Sequence, residues 1–318
     1  MKQRTIPEIA ADLLQNDNYI MLTHRRPDGD TIGCAAALCG GLRALGKTAA
    51  VWENPQFTEK YHPYLDGLTT NLIPEDAKII VVDIATAGLL PYGTENYVNH
   101  IDLRIDHHGR DLEFGCEGVV DSSAAACGEI ILDLLEQMHA PINKKIAEAI
   151  YCAISTDTGC FRYSNVTAKT LRAAAKCKDY GADTYAVNQV MFLTKRLARL
   201  KLDAYLTQTT EFYGDGKVAI SQIPEAIIQE FGITEDDIDD ISGFGRGIEG
   251  VKIGVMLREV KEGGKISVRT APDYDAAAIC AVLGGGGHRA AAGATVPGGI
   301  ADAKAAILRA LQANGVAL

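Results

Sequence analysis

The sequence predicts an α/β protein with two domains: a larger N-terminal domain on a parallel, doubly wound sheet, and a smaller α/β domain after it. Three observations carry this. Through the first half, short apolar runs alternate with longer segments of helical spacing, the rhythm of β-α-β units. One of those runs, "AKIIVVDIA" (77–85), is β-branched and continuous, as in a strand buried on both faces. Beyond residue 209 the texture changes to strand-like runs, glycine turns and a closing helix.

Each element follows in order. "MKQRTIPEIAADLLQ" opens the chain as an amphipathic helix and lacks the apolar core of a signal peptide. "NYIMLT" (18–23) is a short apolar strand, "TIGCAAALCGGLRALG" (31–46) a helix ending at Gly46, and "KTAAVWE" (47–53) the next strand. After the strand at 77–85, "NHIDLRIDHH" (99–108) alternates towards a strand end. "SSAAACGEIILDLLEQMHA" (122–140) and "NKKIAEAIYCAISTDTG" (143–159) are helical, the first with Ser as its expected N-cap. Residues 183–209 form one long helical pattern. The domains are therefore placed at 1–186 and 213–318, joined by a helical linker over 187–212. In the second domain "VAISQI", "GVKIGVMLREV" and "GGKISVRT" are strands, "DAAAICAVL" is a helix running into glycines, and "GIADAKAAILRALQAN" is the final helix.

With 318 residues, 47% apolar and 23% charged, the chain has enough to bury a sizeable core. No run reaches the ~20 apolar residues of a membrane span, and a cytoplasmic location is expected. The eight cysteines (34, 39, 116, 127, 152, 160, 177, 280) form no CxxC pair and read as reduced, buried small hydrophobes. A net charge of −10 argues against a basic track for long duplex nucleic acid. It leaves room for a small phosphorylated ligand held by metals and a few arginines.

The chemistry-bearing residues stand where predicted elements end. His24, Asp28 and Asp30 follow the first strand in "LTHRRPDGDTIG"; Asp83 follows "IIVV"; Asp106, His107 and His108 follow "IDLRI"; Asp157 lies in "STDTG". In a parallel sheet the carboxyl ends of the strands converge on one edge, where ligands bind. Five aspartates and three histidines would then meet there. Each alone reads as a cap or surface group, and "PDG" alone as a turn. Together they are too many like charges to ionise jointly without protons or cations. Imidazole and carboxylate without thiolate suit a hard divalent ion such as Mn²⁺, Mg²⁺ or Co²⁺, with Zn²⁺ open. The ligand count fits two ions ~3.5–4 Å apart, a recurring phosphoesterase device. Separately, Gly284 to Gly287 allow close backbone approach, and Arg269 and His288 add donors for an anion.

"THRRPDGDTIG", "VVDIA", "IDHHG" and "STDTGCFRYSNVT", in this order, resemble the four motifs of the DHH phosphoesterase family, and "KISVRT" with "GGGGHRAAAGA" resembles its DHH-associated C-terminal domain. The resemblance spans essentially the whole chain. Length and the single small C-terminal domain look most like the bacterial nanoRNase type (bifunctional oligoribonuclease and pAp phosphatase), less like the longer RecJ-type exonucleases. It implies one ion on His24, Asp28, Asp83 and Asp157, and another on Asp30, His107, Asp83 and Asp157, so that Asp83 and Asp157 bridge. It also implies a catalytic water between the ions. His108 would contact the scissile phosphate or protonate the leaving oxygen, with Asp106 orienting a histidine from behind. Arg269, Gly285, Gly286, Gly287 and His288 would bind the terminal phosphate or nucleotides across an inter-domain cleft. Arg162, Arg246 and Arg289 are more ordinary surface residues. One departure stands out: the family often carries Arg after its second motif, where this chain has Leu89.

The expected activity is Mn²⁺-dependent hydrolysis of single-stranded RNA of about two to five nucleotides to nucleoside 5′-monophosphates, in keeping with the acidic balance. Removal of the 3′-phosphate from 3′-phosphoadenosine 5′-phosphate (pAp) is expected beside it. Rival readings are cleavage of cyclic dinucleotides or their linear dinucleotide products, cleavage of pyrophosphate, and a non-catalytic nucleotide-binding regulator. No membrane partner is expected, and a homodimer through residues 183–209 stays open.

Overall fold

Strand formation in the first half follows the apolar runs. β1 (Lys2–Gln3), β2 (Tyr19–Leu22), β3 (Ala49–Trp52), β4 (Thr69–Thr70), β5 (Lys78–Val82), β6 (Ile101–Asp106) and β7 (Glu117–Val120) make one sheet in the order β1-β7-β6-β5-β2-β3-β4. Every pairing is parallel, with Met21 facing Ile80 on one side and Val51 on the other. The structure is a computed structural model; it describes residues 1–109, 114–115, 117–238 and 240–318. They fall into two compact units, Met1–Thr194 and Lys195–Leu318. Cys116 lies outside the described residues; the other seven cysteines are unpaired, and six of them are buried.

The helices of the first unit are α1 (Ile6–Gln15), α2 (Gly29–Ala44), α3 (His62–Leu65), α4 (Cys127–Gln137), α5 (Lys144–Asp157), α6 (Ala168–Asp179) and α7 (Thr184–Asn188). The two faces of the sheet are covered unequally. Met21, Ile80, Val82, Leu103 and Ile105 pack against α1, α2, α4 and α5 in the main core. Ile20, Leu22, Ile79, Val81 and Ile101 on the other face pack under Ile84, Leu90 and Phe114, from loops and 3₁₀ turns.

Two glycines let the central helices touch. A Cβ on Gly33 would lie 2.3 Å from the Ala149 carbonyl oxygen, and one on Gly29 would lie 2.4 Å from Thr156 Oγ1. α2 and α5 thus meet backbone to backbone, which brings the start of one beside the end of the other.

Two expectations are revised. Ser122 and Ser123 do not cap α4: its N-cap is Ala126, without a side-chain cap bond, and Ser123 bonds Asp121 instead. The carboxylate of Asp30, from α2, accepts the first α4 amides. The stretch 183–209 is also not one helix. α7 continues into a π-helical turn at Gln189–Leu193, the chain extends through Thr194–Arg196, and α8 (Leu197–Thr209) follows. Val187 packs in the first unit's core, whereas Leu202 and Leu206 pack with Ile223, Ile238 and Met256 of the second. Two cores claim the two halves, and packing overrides the continuous pattern.

In the second unit β8 (Glu211–Tyr213), β9 (Val218–Ile223), β10 (Ile253–Val260), β11 (Gly263–Thr270), β12 (Gly286–Gly287) and β13 (Ala291–Val296) form a mixed sheet in the order β12-β13-β11-β10-β9-β8. Only the β9–β10 pairing is parallel among the described pairs. α9 (Glu225–Phe231), α10 (Ala276–Ala281) and α11 (Ile300–Ala313) complete the unit, and α10 and α11 pack on the sheet through Ile279, Ile307 and Leu311.

Candidate metal centre

β2 is followed in the sheet by β3 on one side and β5 on the other, so the connections leave in opposite directions there. Such a switch point opens a crevice beyond the carboxyl ends of the strands. The loop after β2 carries His24 and Asp28, and Asp83 is the first residue beyond β5.

Asp83 adopts φ +56°, a left-handed conformation that Asp tolerates better than most residues. Its amide donates to the Ile105 carbonyl at 2.9 Å, fixing it to β6. The side chain is 3% exposed and splits its oxygens: Oδ2 lies 3.8 Å from His24 Nε2, and Oδ1 lies 3.5 Å from His107 Nε2. Oδ1 is buried without a hydrogen-bond partner. A buried carboxylate oxygen left so is costly, and a cation is the partner it suits.

The histidines are held for the same purpose. His24 Nδ1 lies 2.9 Å from the Arg25 carbonyl, and His107 Nδ1 lies 3.2 Å from the Ala124 carbonyl. A carbonyl only accepts, so each Nδ1 carries the proton and each Nε2 is turned to the carboxylates. His24 Nε2 lies 3.5 Å from Asp28 Oδ1; His107 Nε2 lies 3.4 Å from Asp157 Oδ2 and 3.8 Å from Asp30 Oδ2. Two clusters result, His24–Asp28–Asp83 and Asp30–His107–Asp157, each tight enough to hold a metal ion, and Asp83 also lies with His107 and His108.

The two aspartates of the first motif are anchored differently. Asp28 caps its own helix, its Oδ1 accepting the amides of Asp30 and Thr31 at 3.0 and 3.2 Å. Asp30, 1% exposed, instead takes the N-terminus of α4: Oδ2 accepts the Cys127 amide at 2.7 Å and Oδ1 the Gly128 amide at 3.0 Å. The positive end of the α4 dipole favours a carboxylate there. The Cys34 thiol also donates to Asp30 Oδ1 at 3.2 Å, and burial pushes that thiol well up, so it stands as a donor and not a thiolate.

Charge in the cluster is poorly compensated by protein alone. Burial, then Asp30 and Asp28, drive the Asp83 carboxyl well above its ordinary range. Burial and Asp157 push Asp30 up to about 8, and burial, with Asp28 opposing His107, pushes Asp157 to about 6. Burial acts against His24 and His107, but Asp28 for the first and Asp30 for the second raise both. Asp28 is the exception: burial is outweighed by His24 and two amides, which hold it at about 2. This donor set fits divalent cations.

Asp106 stands behind. Its Oδ1 accepts the amides of His107 and His108 at 2.8 and 3.1 Å and His108 Nδ1 at 2.8 Å, which leaves His108 Nε2 free of that contact. Burial opposes its ionisation, but His108 and Arg104 hold it at about 2. Arg104, 0% exposed, donates from Nε to Asp106 Oδ2 at 3.1 Å and from Nη2 to the Ala85 carbonyl at 3.1 Å. Sequence reasoning passed over Arg104 as part of an alternating strand. The available signal was its spacing: Arg104 and Asp106 share one strand face. Thr31 was passed over too. Its hydroxyl donates to Val82 O at 2.9 Å and accepts the His24 amide at 3.3 Å, pinning α2 to both strand ends.

In the second unit Arg269 on β11 pairs in register with Ala291, beside the turn in which the His288 amide donates to the Ala291 carbonyl at 2.7 Å. Arg269 and His288 are thus neighbours in the fold. Gly286 and Gly287 form edge strand β12 against β13. The Gly285 amide donates to the Cys280 carbonyl at 2.9 Å, and a Cβ there would lie 2.2 Å from Gly293 O, so Gly285 serves close packing. Arg162, Arg246 and Arg289 donate to the carbonyls of Gly159, Val251 and Pro272. Leu89 sits half-exposed in a 3₁₀ turn.

Residues 18–154 match the DHH family, N-terminal domain, and residues 215–314 match the DHHA1 domain. A Thermus thermophilus protein named bifunctional oligoribonuclease and PAP phosphatase NrnA is 34% identical over 307 residues, covering 93% of this chain and 89% of that one. The chain belongs to the DHH phosphoesterase family. It is a hydrolase of that family, whose members use divalent metals. A Bacillus subtilis protein of the same name is 28% identical, covering 88% of this chain and 90% of its own. An exopolyphosphatase-related protein from Bacteroides fragilis shares the fold, with a TM-score of 0.85 at 22% identity, 97% of this chain and 96% of that one being covered. No helix among the described residues is long and apolar enough to cross a membrane.

Proposed function

We propose that the protein is a Mn²⁺-dependent phosphohydrolase that cuts single-stranded RNA of about two to five nucleotides to nucleoside 5′-monophosphates, a short substrate being in keeping with the acidic balance of the chain. We further propose removal of the 3′-phosphate from pAp. The observation that carries this reading is Asp83, a left-handed, buried aspartate whose two oxygens face two separate His–Asp clusters. The relatives named for both activities support it over nearly their whole length.

Two divalent ions, when bound, supply positive charge for the phosphate and lower the pKa of the attacking water. His24, Asp28 and Asp83 would hold one, and Asp30, His107 and Asp83 the other, with Asp157 between them. The protein's own part is positioning and proton transfer. Water oxygen attacks phosphorus and gives up a proton to solvent, the bond from phosphorus to the leaving 3′-oxygen breaks, and its electron pair goes to that oxygen. His108, held through Nδ1 by Asp106 at 2.8 Å, donates a proton from Nε2 to the leaving oxygen or to the scissile phosphate. Asp106 keeps that tautomer and fixes the direction in which Nε2 points. Arg269 and His288, with the Gly285–Gly287 segment shaping their surroundings, take the terminal phosphate of the substrate. Arg grips such an oxyanion through two parallel N–H donors.

The test is a panel with Mn²⁺: 5′-labelled di- to pentaribonucleotides, pAp, cyclic dinucleotides and pyrophosphate. Release of mononucleotides from diribonucleotides, with cyclic forms cut far more slowly, is expected. An uncut diribonucleotide would sink the proposal, and equal rates on cyclic and linear dinucleotides would remove the terminal-phosphate role of Arg269.

A further inference from the structure

Arg25 follows the metal-cluster residue His24, and its carbonyl is the acceptor that orients the His24 ring at 2.9 Å. Its own amide donates to Leu89 O at 2.6 Å, so the backbone here is fixed on both sides. The guanidinium lies over Tyr92, 4.1 Å from its Cζ to the ring centroid. Tyr92 is itself 49% exposed. The Arg25 Nε is buried and has no hydrogen-bond partner, and the guanidinium makes no ion pair among the described residues.

That combination is unusual in this chain. Acidic residues number 41 against 31 basic ones, and four of them belong to the metal clusters, one of which includes its chain neighbour His24, yet among the described residues none takes the Arg25 guanidinium. Five N–H donors on a planar fork, one of them shielded from water, are an expensive thing to leave unmatched. Stacking on Tyr92 orders the side chain without using any of those donors. A cation so held beside a cluster built to bind metal ions is arranged for an anion that arrives with the substrate.

We propose that Arg25, held against Tyr92, binds a non-bridging oxygen of the substrate's phosphate beside the metal centre and sets the affinity for phosphorylated substrates. The assignment rests on the phosphoester reading above and adds a specific contact to it. A phosphodiester or phosphomonoester presents two or three such oxygens in the plane that a guanidinium fork matches.

The experiment compares wild type with R25Q, R25K and Y92L. KM and kcat are measured on a 5′-phosphorylated diadenylate with Mn²⁺, and adenosine 5′-monophosphate is titrated calorimetrically into each Mn²⁺-loaded protein. A charge-assisted contact predicts that R25Q raises KM and weakens monophosphate binding by about 10–150-fold, with kcat within about threefold of wild type. R25K recovers part of the loss, because the charge remains but the fork does not. Y92L weakens binding by a smaller factor, because Arg25 loses its rest. R25Q with KM and monophosphate affinity both within twofold of wild type overturns the proposal. If wild type leaves the diadenylate uncut, the substrate proposal falls separately, and Arg25 is judged on the monophosphate titration alone. If R25Q does not fold, R25K and Y92L decide: unchanged monophosphate affinity in both overturns the assignment.

Discussion

Replacing Asp83 with Asn separates the metal role of this carboxylate from any role in the fold. Asn is isosteric and accepts the left-handed conformation at φ +56° at least as readily as Asp, so the backbone is kept. What is lost is the ability of two oxygens to serve two clusters, since one becomes an NH₂ donor pointing at an imidazole Nε2 or a cation. The metal-free variant gives up a carboxyl that burial and its acidic neighbours already disfavour in charged form. Its melting temperature in EDTA at pH 8 is therefore expected to equal or exceed that of wild type. In wild type, Mn²⁺ at 100 times its dissociation constant adds about 2.7 kcal/mol per site, or about 5 kcal/mol for two. For a unit of this size that is roughly 10–20 °C in Tm. Asp83→Asn should lose at least half of that rise. Activity should fall by about 10³-fold, the equivalent of about 4 kcal/mol of transition-state stabilisation. Calorimetry with and without Mn²⁺, beside a diribonucleotide assay, reads all three. A variant that keeps the full Mn²⁺-induced rise, or a metal-free variant that melts more than 5 °C below wild type, would show that Asp83 is a structural residue.

The remaining predictions concern its surroundings. Gly33→Ala places a methyl 2.3 Å from the Ala149 carbonyl oxygen, so α2 and α5 must part. A cost of about 1–3 kcal/mol and weaker Mn²⁺ binding are expected, and unchanged Mn²⁺ affinity would mean that Asp157 on α5 is not needed for it. Arg104→Met removes the buried guanidinium from Asp106 and should cost about 3–5 kcal/mol, while Arg104→Met with Asp106→Leu regains much of the stability but not the activity; chemical denaturation and turnover check both. For the metal-free protein, Asp30 at about 8, Asp157 at about 6 and the raised His24 and His107 all mean that the folded chain binds more protons than the unfolded one between about pH 5 and 8. Its stability should therefore fall as pH rises through that window, whereas saturating Mn²⁺ should flatten or reverse the slope, and melting curves in EDTA and in Mn²⁺ at pH 5.5 and 8 decide.

The sheet was legible because a strand buried in a parallel sheet writes itself as a continuous apolar run, and because the acids and imidazoles stand directly after such runs. Asp83 after "IIVV" and Asp106 to His108 after "IDLRI" are positions that topology alone brings to one edge. What stayed hidden depends on contacts far apart in sequence. The α4 cap was read from the adjacent serines, whereas the carboxylate that serves it comes from Asp30, 97 residues away. Arg104 carries a charge in an alternating strand, which reads as a solvent face until Asp106 and the Ala85 carbonyl are seen to surround it. The break at 194–196 follows from two cores competing for one amphipathic pattern, and a local period cannot report that competition.

The anchoring of the acids explains how such a cluster is assembled at all. Asp28 is held by amides of its own helix, Asp30 by amides of α4, and Asp106 by the amides of His107 and His108. Helix N-termini and loop amides fix these carboxylates with partial positive charge, and only Asp106, standing behind the centre, also takes a guanidinium, that of Arg104. Asp83 stands apart from these three, because its Oδ1 is buried and receives no such donor. The protein has met the needs of Asp28, Asp30 and Asp106 from its own backbone and left Asp83 Oδ1 unmet. A cation is the partner that closes that gap, and Arg25, without an ion pair among the described residues, is the group proposed for the anion that a cation pair would draw in.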